Sequence, residues 1–158
     1  MQQCRVGVVH GDADALAGWR FDPSSLDQAG NHAWLHRAFE HAAVDLFAST
    51  HTCMPALRRV GRGSEFGIVI NNGAAGMPNF RADTHGMITR IGTRPAPHPS
   101  RYGARLRGAF VDALAVDFDP VAFRKTFLRN WPEGSDAHQS YFQRITEGTS
   151  ADVADACR

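Results

Sequence analysis

The chain has 158 residues, of which 21% are charged, and a formal net charge of +1 at pH 7. That length suits one domain with an ordinary core, and the balanced charge removes the electrostatic case for nucleic acid as a bulk partner. No apolar stretch reaches the ~18 residues of a membrane span, Met1-Gln2-Gln3-Cys4 lacks the regions of a secretory signal, and the three scattered cysteines form no disulfide framework. A cytoplasmic protein with reduced thiols is expected.

Residues 5–10 read as a first strand, the run Val6-Gly7-Val8-Val9 stopping at His10-Gly11-Asp12. A turn-rich stretch follows through Gly11, Gly18, Asp22-Pro23 and Gly30, with Trp19 and Phe21 expected to pack as a flap beside the strand ends. Leu35, Ala38, Phe39 and Ala42 recur at helical spacing and predict a helix of about 32–43, entered through Asn31 as N-cap. Gly30-Asn31-His32 is therefore read as a helix entry. A strand at 44–49 then ends in Ser49-Thr50-His51-Thr52-Cys53-Met54-Pro55. Residues 56–60 and 66–71 predict a hairpin across Gly61-Arg62-Gly63-Ser64, its second arm ending in Asn71-Asn72-Gly73.

Residues 73–83 read as a loop near the site and 85–92 as a strand. Residues 93–103 hold three prolines and read as a connection. Alternation over 108–118 predicts a strand buried on both faces near its middle. Asp119-Pro120 opens a helix running to about Asn130, stopped by Trp131-Pro132. Ser135 caps a last helix with an inner stripe of His138, Tyr141, Phe142 and Ile145, ending at Gly148. Residues 1–148 are expected to form the domain and 149–158 a frayed tail.

The chemistry gathers at strand ends. Buried strands that stop at polar, Gly-rich turns deliver side chains to one edge of a sheet, where open α/β sheets place ligands. His10, His51 and Cys53 are residue types that ligate metals, and they sit at such ends.

The order of these motifs resembles the C-terminal half of a calcineurin-like metallophosphoesterase. That family ends one strand in a lone His-Gly and a later one in Gly-His-x-His, often followed by x-Pro, then closes the next strand with an Asn-x-Gly turn. Thr50-His51-Thr52-Cys53-Met54-Pro55 lies in register with the second motif. Thr50 stands where the family prefers Gly, and Cys53 where it prefers His. The resemblance covers residues 5–92 best. The family's Asp-x-His, Gly-Asp and Gly-Asn-His motifs precede its lone His-Gly, and nine residues precede His10 here.

The resemblance implies an α/β fold: a mixed sheet with flanking helices, like the C-terminal half of a four-layer α/β/β/α sandwich. It implies metal-dependent hydrolysis of a small phosphate ester, with a divalent metal (Mn, Fe, Zn or Mg) that is dinuclear in the full family. It makes His10, His51 and Cys53 metal ligands. Asp12, or Asp14, then orients an imidazole or is a solvated turn acid, and Asn72 shapes its turn or offers an amide to phosphate. Arg101, Arg105 and Arg107 either form a solvated face or grip a phosphate. With part of the ligand set absent, activity of the chain alone is expected to be weak or nil. Two other readings stand: a noncatalytic subunit binding a partner, or a second copy, through an exposed sheet face, and a domain holding a single Zn²⁺.

Overall fold

The computed structural model describes residues 3–63 and 65–158. Ser64 of the expected hairpin turn, and Met1 and Gln2 of the N-terminal reading, lie outside the described residues. Among the described residues, seven strands build two sheets. β1 (Val6–Val8), β2 (Leu46–Ser49), β3 (Pro55–Arg62) and β4 (Glu65–Asn72) form the first, in the order β1-β2-β4-β3. β1 pairs parallel with β2, β2 parallel with β4, and β4 antiparallel with β3. β5 (Gly86–Gly92), β6 (Tyr102–Leu106) and β7 (Ala109–Val116) form the second, an antiparallel sheet in the order β5-β7-β6.

The two-residue alternation of strands makes the layers. Leu46, Ala48, Leu57, Ile68 and Ile70 of the first sheet face Met87, Tyr102, Leu106, Val111 and Ala113 of the second. Between them Phe47 and Val69 point the other way, into a second core with Phe21 and the helices α1 (Pro23–Leu26) and α2 (Ala29–Ala42). Trp34, Leu35, Ala38 and Phe39 form the buried stripe of α2. The result is a mixed α/β arrangement of helices, mixed sheet and second sheet. α3 (Pro120–Asn130) and α4 (Asp136–Glu147) pack on one another through Phe127 and Phe142, whose ring centroids are 6.2 Å apart.

Several expectations change. α2 starts at Ala29 with Gln28 as N-cap, and Asn31 lies inside it, its amide donating to the Arg20 and Ser25 carbonyls. Residues 102–106, the first two of them in the expected connection, form β6; Gly103 and Arg105 break the apolar pattern, and pairing with β7 supplies the strand. In α4, Ile145 is buried but Tyr141 is half exposed. The strand end at β1 is bare: Val8 is 78% exposed on an edge that no described strand pairs.

The tail expected to fray is held. α5 (Val153–Ala156) carries a reciprocal capping box between Asp152 and Asp155, and Ala156 is 2% exposed. The anchor is Arg58 of β3, itself 7% exposed. Its Nη1 donates to the Ala156 carbonyl at 2.7 Å and its Nη2 to the Asp155 carbonyl at 3.1 Å. The same guanidinium takes Asp27 as a fork, Nε to Oδ1 at 2.6 Å and Nη2 to Oδ2 at 3.0 Å. Arg58 therefore joins the C-terminus of α1, the middle of β3 and the end of the chain.

Arg58→Met should cost about 2–3 kcal/mol in urea unfolding, from charge-assisted hydrogen bonds lost and carbonyls left unpaired. Amide exchange should quicken at 153–157; unchanged protection there would contradict the anchor. The pH dependence has a definite sign. The Arg58 hydrogen bond holds the Asp27 carboxyl below its usual range, against a smaller opposing effect of burial. A depressed folded-state pKa stabilises above the unfolded value, near ~3.9, and that contribution is lost as pH falls through the folded value. Asp27→Asn should flatten the acid limb of the stability profile.

Candidate functional site

The parallel pairing of β1 with β2 continues past both strands. Val9 N–H donates to the Ala48 carbonyl at 3.0 Å. The His10 carbonyl then accepts from the His51 amide at 2.8 Å and the Thr50 amide at 3.3 Å. Ser49 Oγ donates to the Gly11 carbonyl at 2.6 Å and approaches that of His10 at 3.1 Å. These bonds bring two residues 41 apart in sequence side by side. His51 Nδ1 lies 2.9 Å from His10 Nε2, with ring centroids 4.8 Å apart. One nitrogen donates and the other accepts, as the tautomers set.

The turn that carries His51 is pinned from two sides. Thr50 Oγ1 donates to the Gly73 carbonyl, and the Asn71 amide donates to Thr52 Oγ1 at 3.0 Å. Asn71 Oδ1 in turn accepts from Gly73 N–H at 2.9 Å. Asn71 is fully buried, so the end of β4 is the template for the end of β2. From the other side Arg144 of α4 donates through Nη2 to the Cys53 carbonyl at 2.6 Å. Its Nε is buried without a hydrogen-bond partner, and burial pushes the guanidinium pKa down, partly countered by the nearby Cys53 sulfur.

Cys53 itself has φ of 55°, in the left-handed region that favours glycine. It follows His51 by two residues without completing a cluster: among the described residues no three His, Cys, Asp or Glu side chains could hold a metal ion together. Asp12 is 7% exposed and turned to its own loop, where its carboxylate accepts from the amides of Asp14, Ala15 and Arg20. Asp14 accepts from the Trp34 indole at 2.6 Å. Asn72 ties its strand to β5, donating to the Met87 carbonyl at 3.0 Å and to the Gly73 carbonyl at 3.3 Å. His32 is exposed and lines a separate cleft with Asp27 and Arg58.

The arginines reach acids and a ring. Arg101 pairs with Asp83 at 3.2 Å, beside the His85 ring that also bonds Asp83. Arg105 lies over the Phe110 ring, and Arg107 pairs with Asp45 and Glu65. Ser49 and Arg144 carry no sequence signal as site-forming residues, whereas Asn71, expected with Asn72 and Gly73 to shape its turn, accepts from Gly73 N–H there.

Two imidazoles on one tetrahedral cation would place their nitrogens about 3.3 Å apart, given bonds of about 2.0–2.1 Å. The observed pair is within a few tenths of an ångström of that. The spacing of the two nitrogens therefore matches two positions on one cation, which would replace the proton they share. The donor set does not fit a two-cation centre, because the nearby carboxylates of Asp12 and Asp14 are spent on amides and an indole. An apolar groove of about 310 Å³ is lined by Val8, Val9, Thr50, Asn72 and Ile88, chain neighbours of the two histidines among them. A second cavity, of about 760 Å³, lies against α4 between Arg81, Arg144 and Gly148. Neither is lined by His10 or His51.

The crystal structure of a metallophosphoesterase from Sphaerobacter thermophilus has a similar fold, with a TM-score of 0.54 at 16% identity. The likeness covers 94% of this chain, which spans 58% of that protein's length. No protein-family model and no curated protein matches the sequence.

Cys53→Gly should stabilise the chain by about 0.5–1 kcal/mol, because a left-handed residue other than glycine costs roughly 1–2 kcal/mol and the lost thiol packing offsets part of the relief. Arg144→Met should destabilise by about 1–2 kcal/mol and shift the His51 ring signals in NMR spectra. A destabilised Cys53→Gly, or unmoved His51 signals in Arg144→Met, would contradict this account of the turn.

Proposed function

We propose that this chain carries part of a metal-dependent phosphoesterase site, with His10 and His51 as a ligand pair on one divalent cation. The remaining ligands come from polypeptide that this chain does not contain. The observation that supports the reading most is the 2.9 Å approach of His51 Nδ1 to His10 Nε2 at the ends of adjacent parallel strands. The motif order of His-Gly, His-x-Cys and Asn-x-Gly supports it, and so does the metallophosphoesterase-like fold. A divalent cation in such a site would bind phosphate oxygens and supply the activated water.

The surroundings support completion by another polypeptide. The edge of β1 is bare, Val8 and Ile88 are exposed at 78% and 43%, and the apolar groove they line includes Val9 and Thr50, the residues that precede His10 and His51. A segment seated there could bring carboxylates to the cation. The same face would serve a noncatalytic subunit, so catalysis decides between the two.

Zinc titration by calorimetry should give about one cation per chain, lost in His10→Ala and in His51→Ala. With saturating Mn²⁺ the chain alone should hydrolyse a model phosphodiester at least about a hundredfold more slowly than a complete two-metal enzyme, since general acid–base help alone contributes 10²–10⁴. Full turnover by the isolated chain would contradict the partial-site reading. Zinc binding indifferent to both histidine substitutions would contradict the ligand pair.

A further inference from the structure

Trp19 sits in a hydrogen-bonded loop and yet is exposed. Its indole is 59% exposed, although Trp is a highly buried residue on average. Its ring centroid lies 5.6 Å from that of His51, the planes inclined at 74°. An edge-on neighbour covers little of an indole, and at this exposure at least one ring face stays open beside the imidazole pair.

The loop that presents Trp19 is built for close approach. Asp12 accepts three backbone amides within it, that of Arg20 at 3.2 Å among them. Gly18 sits so near that carboxylate that a Cβ there would fall 2.0 Å from Oδ2. A Cβ on Gly11 would fall 2.5 Å from the Ala15 carbonyl oxygen. Gly18 N–H donates to the Ala15 carbonyl and Asp22 N–H to that of Trp19. Phe21 is fully buried against Trp34 and Phe47. The backbone is thus tied down on both sides of Trp19, and the side chain between the ties faces solvent.

We infer that Trp19 is a stacking platform, and that the phosphoester taken at the imidazole pair carries a planar aromatic group, a nucleoside or an aryl group, in preference to an aliphatic one. This rests on the phosphoester reading above. Aromatic stacking explains an open indole on a pinned loop because a base or aryl ring covers the face without needing hydrogen-bond partners. Position supports the same class: the ring neighbours His51, so a group stacked on it would be joined to a phosphate at the cation.

The test compares three probes by NMR in the presence of Zn²⁺: adenosine 5′-monophosphate, ribose 5-phosphate and adenosine. The Trp19 indole N–H signal, assigned by its loss in Trp19→Phe, reports the stack in the wild type. The His10 and His51 ring signals report the phosphate. The monophosphate should bind about tenfold more tightly than ribose 5-phosphate, the low end of the range for base–aromatic stacking. Trp19→Ala should abolish that difference while ribose 5-phosphate binds as before, and Trp19→Phe should retain most of it. Equal affinities in the wild type, or a preference that survives Trp19→Ala, would overturn the inference and leave the phosphoester reading intact. Equal binding of adenosine and its monophosphate, with the Trp19 signal moving and ribose 5-phosphate silent, would uphold the platform and overturn the phosphoester reading. If no probe moves the Trp19 signal, the platform is refuted.

Discussion

The site depends on the extension of one parallel strand pair beyond its last residues. β1 and β2 are in register from Val6 with Leu46 to Val8 with Ala48, and the ladder carries on until His10 is bonded through its carbonyl to Thr50 and His51. Side chains in a strand repeat every two residues, so a slip of one residue between the two strands would send one imidazole to the opposite face. The pairing is made firm by the core on both sides of β2. Leu46 and Ala48 pack toward the second sheet while Phe47 packs toward α2, and none of the three can move without opening a cavity.

That arrangement leaves both imidazoles beyond the ends of β1 and β2, at the edge of the first sheet that no described strand pairs. The first sheet is finished on its β3 side, where Arg58 gathers α1 and the end of the chain. It is unfinished on its β1 side, where Val8 faces solvent. An unpaired edge beside an apolar groove invites another strand. The asymmetry agrees with the donor inventory: two nitrogens converge, and the nearby carboxylates are used internally.

Much of this was legible in sequence, and the parts that were not share a cause. Strand ends could be read because apolar runs stop abruptly at His10, Ser49 and Asn71, and α3 and α4 because Asp119-Pro120 and Ser135 are strong local start signals. The mixed-sheet class was implied by the family resemblance that those strand ends carry. β6 was hidden because Gly103 and Arg105 interrupt it and only pairing with β7 makes it a strand. The ordered tail was hidden because Arg58 holds it from 98 residues away, and the support of the His51 turn because Arg144 reaches Cys53 across 91. Asp12 follows a candidate ligand so closely that an orienting role suited it, yet three amides of its own loop claim the carboxylate. Spacing reveals which residues arrive at an edge, and the competition for their lone pairs is settled by backbone that spacing does not describe.

The central claim is that His10 and His51 act as one ligand pair, and side-chain ¹⁵N spectra of the two histidines during a zinc titration test it most directly. His10 Nε2 and His51 Nδ1 should both move to the frequencies of metal-bound nitrogen, together and with a single midpoint. Movement of one ring alone, or two separate midpoints, would show that the imidazoles bind independently and would contradict the account.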